Sequence, residues 1–224
     1  MNLKEGFRQP GVAAALGAAL LFGAGTPLAK WLLDAVNPWM LAGLFYLGSG
    51  FGLTLYRQLR HAPSVRLPRS EIPWFAGAIL AGGIIGPVLL MFGLTGMPAS
   101  GASLLLNAES LFTALLAWFV FKENFDKRIV LGMLAIVAGA VVLSIPTEAR
   151  TTGLWPTLAI LGACFAWGVD NNLTRKVSLT DATWIASVKG WVSGIVNIGL
   201  AFAFSAYIPK WHNLTGAMTV GLLC

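Results

Sequence analysis

An all-α polytopic membrane protein, with seven complete transmembrane helices and the start of an eighth, is the fold class that three observations predict for this 224-residue chain. Hydrophobic residues make up 57% of it and charged ones 11%, and the mean hydropathy of +0.75 lies outside water-soluble usage. Apolar runs long enough to cross a hydrocarbon core recur along the chain; a core about 30 Å thick takes roughly 20 residues at about 1.5 Å each. Lys and Arg collect in alternate connecting loops, as cytoplasmic loops require.

The first run, Gly11 to Ala29, follows Lys4 and Arg8. A cleaved signal sequence is the competing reading, but the run is long for one and its removal would spoil the charge alternation. Ala35 to Tyr56 is the second. From Ile72 to Phe121 Glu109 is the sole charge, and the stretch must divide at the turn-forming "GLTGMPASG" around Pro98 into a third and a fourth helix. Ile129 to Thr147, Thr151 to Val169, and Ala182 to Pro209 with only Lys189 inside are the fifth to seventh. Leu214 to Cys224 extends only about 16 Å as a helix, so an eighth begins without finishing. A complete seven-helix protein with a short apolar tail is the alternative.

With the N-terminus in the cytoplasm, that side collects Lys4, Arg8, Arg57, Arg60, Arg66, Arg69, Lys122, Lys127, Arg128, Arg175 and Lys176, against Lys30, Arg150 and Lys210 outside. The net charge of +6 is therefore a topology signal and calls for no nucleic-acid partner. Trp31, Trp39, Trp74, Trp155, Trp184 and Trp211 fall near span ends, where indoles favour the membrane interface. Cys164 and Cys224 are too few for a disulfide framework.

Shifting the sequence by 145 positions lays "ALGAALLFGAGTPLAK" (15–30) on "ILGACFAWGVDNNLTR" (160–175) without a gap. Phe22 meets Trp167 and Lys30 meets Arg175; farther on, Trp39 meets Trp184 and Tyr46 meets Trp191. Five helices separate the copies, so the second crosses the membrane in the opposite sense, as in many secondary transporters. Residues 1–150 then form a first five-helix repeat and 151–224 part of a second, with ten helices expected in the full length.

The segments "LLLNAESLFTALLAWFVFKENFDKRIVLGMLAIVAGAVVL" (104–143) and "ACFAWGVDNNLTRK" (163–176) resemble the drug/metabolite transporter superfamily, EamA type: the first its fourth and fifth helices, the second the opening of its second repeat. Ser110 stands where that family often has a proline, which puts a kink there in doubt. Lys122 stands where its turn glycine usually lies before Glu123. The resemblance implies a ten-helix carrier of small organic solutes in the bacterial cytoplasmic membrane, with no substrate specified.

A charge at mid-bilayer costs about 2.5–3.5 kcal/mol, so Glu109 is most easily tolerated facing a bundle interior or a wet cavity. Ser103, Asn107 and Ser110 fall on one helical stripe beside it, which makes Glu109, Asn107 and Ser103 a candidate solute or proton pathway. Simple helix pinning by Glu109 is the plainer use. Lys189 either carries its ammonium toward the headgroups or holds a solute carboxylate, pairing with Glu109 when the site is unloaded. Trp167, Tyr46 and Trp191 either wall a cavity or pack against neighbours. Asp170, Asn171 and Asn172 are explained by a solvated helix end, with a pathway role for Asp170 and Asn171 as the weaker reading.

Gly48 with Gly52, Gly82 with Gly86, and Gly190 with Gly194 allow close helix approach, within the chain or in a homodimer. There is no phosphate-binding "GxxxxGK[ST]" loop and no "HExxH", and His61 and His212 fall on opposite membrane faces. Neither an enzyme, a metal site nor a cofactor is expected. The function expected is secondary transport of metabolites or drugs, as an exporter, by alternating access, with proton coupling as the preferred mechanism and an uncoupled facilitator as its alternative. A seven-helix sensor or assembly partner is the alternative.

Overall fold

The computed structural model describes residues 10–123, 153–177 and 181–223, with scattered positions between 130 and 138. The described elements are helical: α1 (Pro10–Leu32), α2 (Pro38–Leu59), α3 (Ile72–Thr95), α4 (Ala99–Phe119), α5 (Leu154–Thr174), α6 (Ala182–Ala203) and α7 (Trp211–Leu223). Among the described residues α2, α3, α4 and α6 are long and apolar enough to cross a membrane, and Leu16–Leu32 of α1 is a shorter apolar helix. The helix expected over Ile129 to Thr147 lies outside the described residues but for those scattered positions, and so does Cys224.

Local chemistry sets the helix ends. Asn37 caps α2, its Oδ1 accepting from the Trp39 N–H at 3.0 Å, and Pro38 occupies the first turn, where a missing donor costs nothing. Asp181 caps α6 by accepting from Thr183 N at 2.8 Å and Trp184 N at 3.2 Å. α3 and α4 part at residues 96–98, where the turn around Pro98 is expected. Lys122 has φ +52°, the left-handed conformation that glycine adopts most readily, which explains why the resembled family places glycine there.

Two helices are interrupted within their spans. α3 carries a π-helical turn over Ile79–Ile85, just before Pro87. α4 breaks at 106–107 into Ala99–Leu105 and Ala108–Phe119 despite having Ser110 and no proline. The Asn107 side chain donates to Ser103 O at 3.3 Å and Leu104 O at 3.0 Å, competing with the helical ladder. The Cys164 thiol of α5 takes up the Leu105 carbonyl at 3.5 Å.

α2 is central, packing on α6 and α7 and also meeting α3. Its seam with α6 is made of glycine. A Cβ at Gly50 would lie 2.7 Å from Trp191 N, and one at Gly194 would lie 2.8 Å from Leu47 N. Gly48 meets the α7 backbone at Met218, and Gly86 meets the Trp167 ring. The small-residue pairs are thus taken up by packing within the chain, leaving none of them as a free dimer face. Leu41, Leu94 and Ile160 are fully buried between α2, α3 and α5.

Tryptophans divide by environment. Trp31, Trp74, Trp155 and Trp211 are exposed near helix ends, as a membrane interface favours. Trp39 stacks on Phe204 and Trp184 on Phe75 instead, each tying two helix ends together.

Candidate functional site

Pro87 has no N–H, so it can serve neither the Gly83 carbonyl four residues back nor the Gly82 carbonyl five back in π register. Side chains from three other helices take these acceptors. Tyr46 Oη of α2 donates to Gly82 O at 2.6 Å, and Trp167 Nε1 of α5 donates to the same oxygen at 3.0 Å. Asn197 Nδ2 of α6 donates to Gly83 O at 2.9 Å. An unmet carbonyl in hydrocarbon is costly, so the proline that frees these oxygens makes them the point where the two halves of the chain are clasped.

Tyr46 and Trp167 also wall a cavity of about 270 Å³. Its remaining wall is mainly apolar, with the hydroxyls of Thr26 and Ser49, and comes from both ends of the chain: Phe22 of α1, Phe45 of α2, Met91 of α3 and Gly221 of α7. A second cavity of about 330 Å³ shares Tyr46 and Ser49 with the first and adds Thr174, Ile185 and Lys189. Of the three aromatics expected to wall a cavity or pack against neighbours, Tyr46 and Trp167 line this one. Trp191 lines neither cavity; its Nε1 donates to Thr54 Oγ1 at 2.9 Å beside the α2–α6 seam.

Asp170 corrects the expectation of a solvated helix end. α5 continues through Thr174, not Val169, and that extra turn turns Asp170 inward. Its carboxylate accepts from Lys189 Nζ at 2.7 and 2.5 Å and from the Thr174 hydroxyl at 2.9 Å. The Lys189 and Asp170 side chains are 15% and 9% exposed, so the ammonium stays in the bundle and does not reach the headgroups. Nor does it pair with Glu109. The carboxylate lies against Gly82, where any Cβ would overlap it.

Glu109 begins the second segment of α4, and its Oε1 accepts from Asn171 Nδ2 at 3.0 Å. The same amide donates to Thr113 Oγ1 at 3.1 Å, while Asn172, buried, donates to Thr113 O at 2.9 Å and to Gly168 O at 2.8 Å. Glu109 thus joins α4 to α5 and lines neither cavity. Ser103, Asn107 and Ser110 are exposed on α4 and do not converge with it on either cavity.

Two ion pairs close the end of the bundle where α2 finishes and α6 starts. Arg57 Nη1 meets Asp181 Oδ2 at 2.7 Å and Thr183 Oγ1 at 2.8 Å, while its Nη2 donates to Pro63 O at 2.8 Å. The Thr183 hydroxyl, and after it Arg57, holds the Asp181 carboxyl below the ordinary carboxylate range. Arg175 pairs with Glu123 at 2.5 Å, tying the end of α5 to the end of α4. Among the described residues no group of three or more His, Cys, Asp or Glu side chains is placed to hold a metal ion.

Sequence reasoning missed Gly82, Pro87 and Asn197. The usable signal was Pro87 itself, a proline inside an apolar run with two glycines four and five residues before it.

A model of the EamA-like transporter family matches residues 9–145. An uncharacterized transporter of Methanothermobacter thermautotrophicus is 27% identical over 203 residues, covering 83% of this chain and 59% of its own length. A probable amino-acid metabolite efflux pump of Salmonella typhimurium is 27% identical over 193 residues, covering 79% of this chain and 55% of its own. The chain thus spans between half and two thirds of these relatives. A solved crystal structure with 18% identity matches with a TM-score of 0.66 over 92% of this chain and 75% of that one, a likeness of fold.

Proposed function

The chain belongs to the EamA-like transporter family, and on that premise we propose that it works as a secondary transporter that exports a small organic solute across the cytoplasmic membrane by alternating access. The observation that carries this reading is the cavity walled jointly by α1, α2, α3, α5 and α7, with Tyr46 and Trp167 as its convergent donors. In this reading the N-terminus lies in the cytoplasm, and residues 1–150 and 151–224 belong to two repeats of opposite orientation.

A two-fold relation between the repeats supports the reading. Its axis must pass where a position on α2 meets its own image on α6, and a shift of 145 images Tyr46 on Trp191. A Cβ on Gly190 would lie 2.9 Å from Tyr46 O, and Gly50 abuts Trp191 N, so the two backbones meet within about a turn of this pair. α7, third in its repeat, packs on α2, while α3, third in the other, packs on α6.

In the cycle, Arg57–Asp181 and Arg175–Glu123 close the cytoplasmic end, and the Gly82 clasp yields when Tyr46 and Trp167 turn to a solute. Glu109, held by Asn171, exchanges the coupling proton. Flux into proteoliposomes across a panel of amino acids, nucleosides and amines tests the reading. Glu109→Gln should flatten the pH dependence of flux; a variant that keeps both rate and pH profile removes Glu109 from proton coupling. Absence of uptake for every solute by a folded protein sinks the transport reading itself.

A further inference from the structure

We infer that the transported solute is an amphipathic monoanion, its acidic group seated on Lys189 and its apolar body between Phe22, Phe45, Leu90 and Met91, and that a proton accompanies it on Asp170. The inference rests on the transport reading above.

Two neighbouring, mainly apolar cavities carry it, one of which is lined by a cation. The first is lined without a single charged side chain, and the second has Lys189 as its charged lining residue. Tyr46 and Ser49 belong to both walls, so a molecule reaching past them presents one end to each chamber. About 270 and 330 Å³ suit an apolar group and a small polar head. Asp170 lines neither chamber; it lies behind the lysine, against Gly82. An ammonium has three donors, of which Asp170 engages two, so an arriving solute meets the positive member of the pair first. Cations are turned away at the same point.

Charge balance then dictates the proton. The empty pair is neutral, whereas a bound anion leaves the site with a net negative charge in a medium that penalises it by several kcal/mol per unpaired ion. Buried groups in that position neutralise. The groups around Asp170 are Lys189 from α6 and Thr174 on its own helix, with Gly82 presented by α3, Tyr46 of α2 on the Gly82 carbonyl, and Glu109 of α4 joined to the neighbouring Asn171. Glu109, the other acid, is held by the Asn171 amide away from the cation, so the charge-balancing proton falls to Asp170 and is separate from the coupling proton exchanged at Glu109. As the solute takes the ammonium, Asp170 binds a proton from water; on release the anion leaves, the proton departs and the pair re-forms.

Titration calorimetry of the full-length protein, in buffers of different ionisation enthalpy, counts protons and affinity together. The probes are 3-phenylpropanoate, 3-phenylpropanamide, 3-phenylpropylamine and phenylalanine, which share a body and differ in charge. 3-Phenylpropanoate should bind at least about tenfold more tightly than the other three, a difference of about 1.4 kcal/mol, with a proton taken up for each anion. Lys189→Gln should reduce it to the level of the amide, and Asp170→Asn should keep anion binding while abolishing proton uptake. Should the single variants fail to fold, the uncharged pair Asp170→Asn/Lys189→Gln should bind amide and anion alike. Preference for the amine or for phenylalanine, anion binding without a proton, or no anion binding by folded protein each overturns the inference. Flux of the amine or of phenylalanine with no anion preference would leave the transport reading standing, whereas anion-and-proton binding without flux of any probe would sink that reading alone.

Discussion

The α2–α6 seam and the α3–α5 face are both built on glycine, yet they use it for opposite purposes. Along the seam, Gly50 and Gly190 bring backbone against backbone, with no side chain there to rotate out of the way, while Gly194 meets both the backbone and the side chain of Leu47. On the α3–α5 face, Gly82 and Gly86 make room for side chains, the Asp170 carboxylate and the Trp167 ring. Main-chain contact is rigid at the scale of a bond, whereas side chains have alternative rotamers. The contrast assigns the fixed axis of the molecule to the seam and its adjustable part to the π-helical turn of α3, where the clasp, the ion pair and both cavity aromatics meet.

The sharpest way to break this contrast is to add atoms to the seam. Gly50→Val sets a branched side chain against the Trp191 backbone at 2.7 Å from Cβ onward. A loss of about 3 kcal/mol or more is expected, since no rotamer relieves a main-chain clash. Gly199→Ala, where nothing lies within 4 Å, is the control and should leave thermal unfolding in detergent unchanged. Equal effects of the two would end the idea of a rigid seam.

Removing one clasp donor should cost less. Tyr46→Phe and Trp167→Phe each delete a hydrogen bond to Gly82 O while leaving the other in place. About 1 kcal/mol is expected for each. The double variant, which orphans the carbonyl altogether, should lose more than the sum of the singles; simple additivity in thermal unfolding would mean that the two donors do not act on one acceptor.

The smallest effect belongs to the rim. The Asp181 carboxyl is lowered by Thr183 and then by Arg57. A lowered carboxyl favours the folded form above its unfolded value, about 3.9, and that contribution is lost as pH falls through the folded value. Acid should therefore loosen the Arg57 latch once pH drops below the usual carboxylate range. Hydrogen exchange at the start of α6 reads this out, and in Asp181→Asn the acid-dependent rise should vanish. A rise of the same size in the variant would assign the acid sensitivity elsewhere.

Much of the fold was legible because a bilayer imposes length and polarity on each span separately. α2 and α3 and the turn at Pro98 follow from local apolar runs and punctuation. Tyr46 and Trp167 were legible only as aromatics that either wall a cavity or pack against neighbours, and the helix packing decided that they line one. Asp170 was not, since a carboxylate near the end of an apolar run reads as solvated until the partner that buries it is known. Glu109 was legible as an acid in need of a partner, whereas the partner itself, Asn171, depends on how α4 leans on α5.

The order of the spans, their ends to within a few residues and the concentration of basic residues in alternate loops are therefore properties of the polypeptide alone, because the membrane acts on each segment independently. Which lysine meets which acid, and which carbonyls Pro87 hands to Tyr46, Trp167 and Asn197, was decided only when the helices packed. Those partners lie between 19 and 114 residues apart in the chain, and a polar group in hydrocarbon takes whichever partner the packing brings within reach.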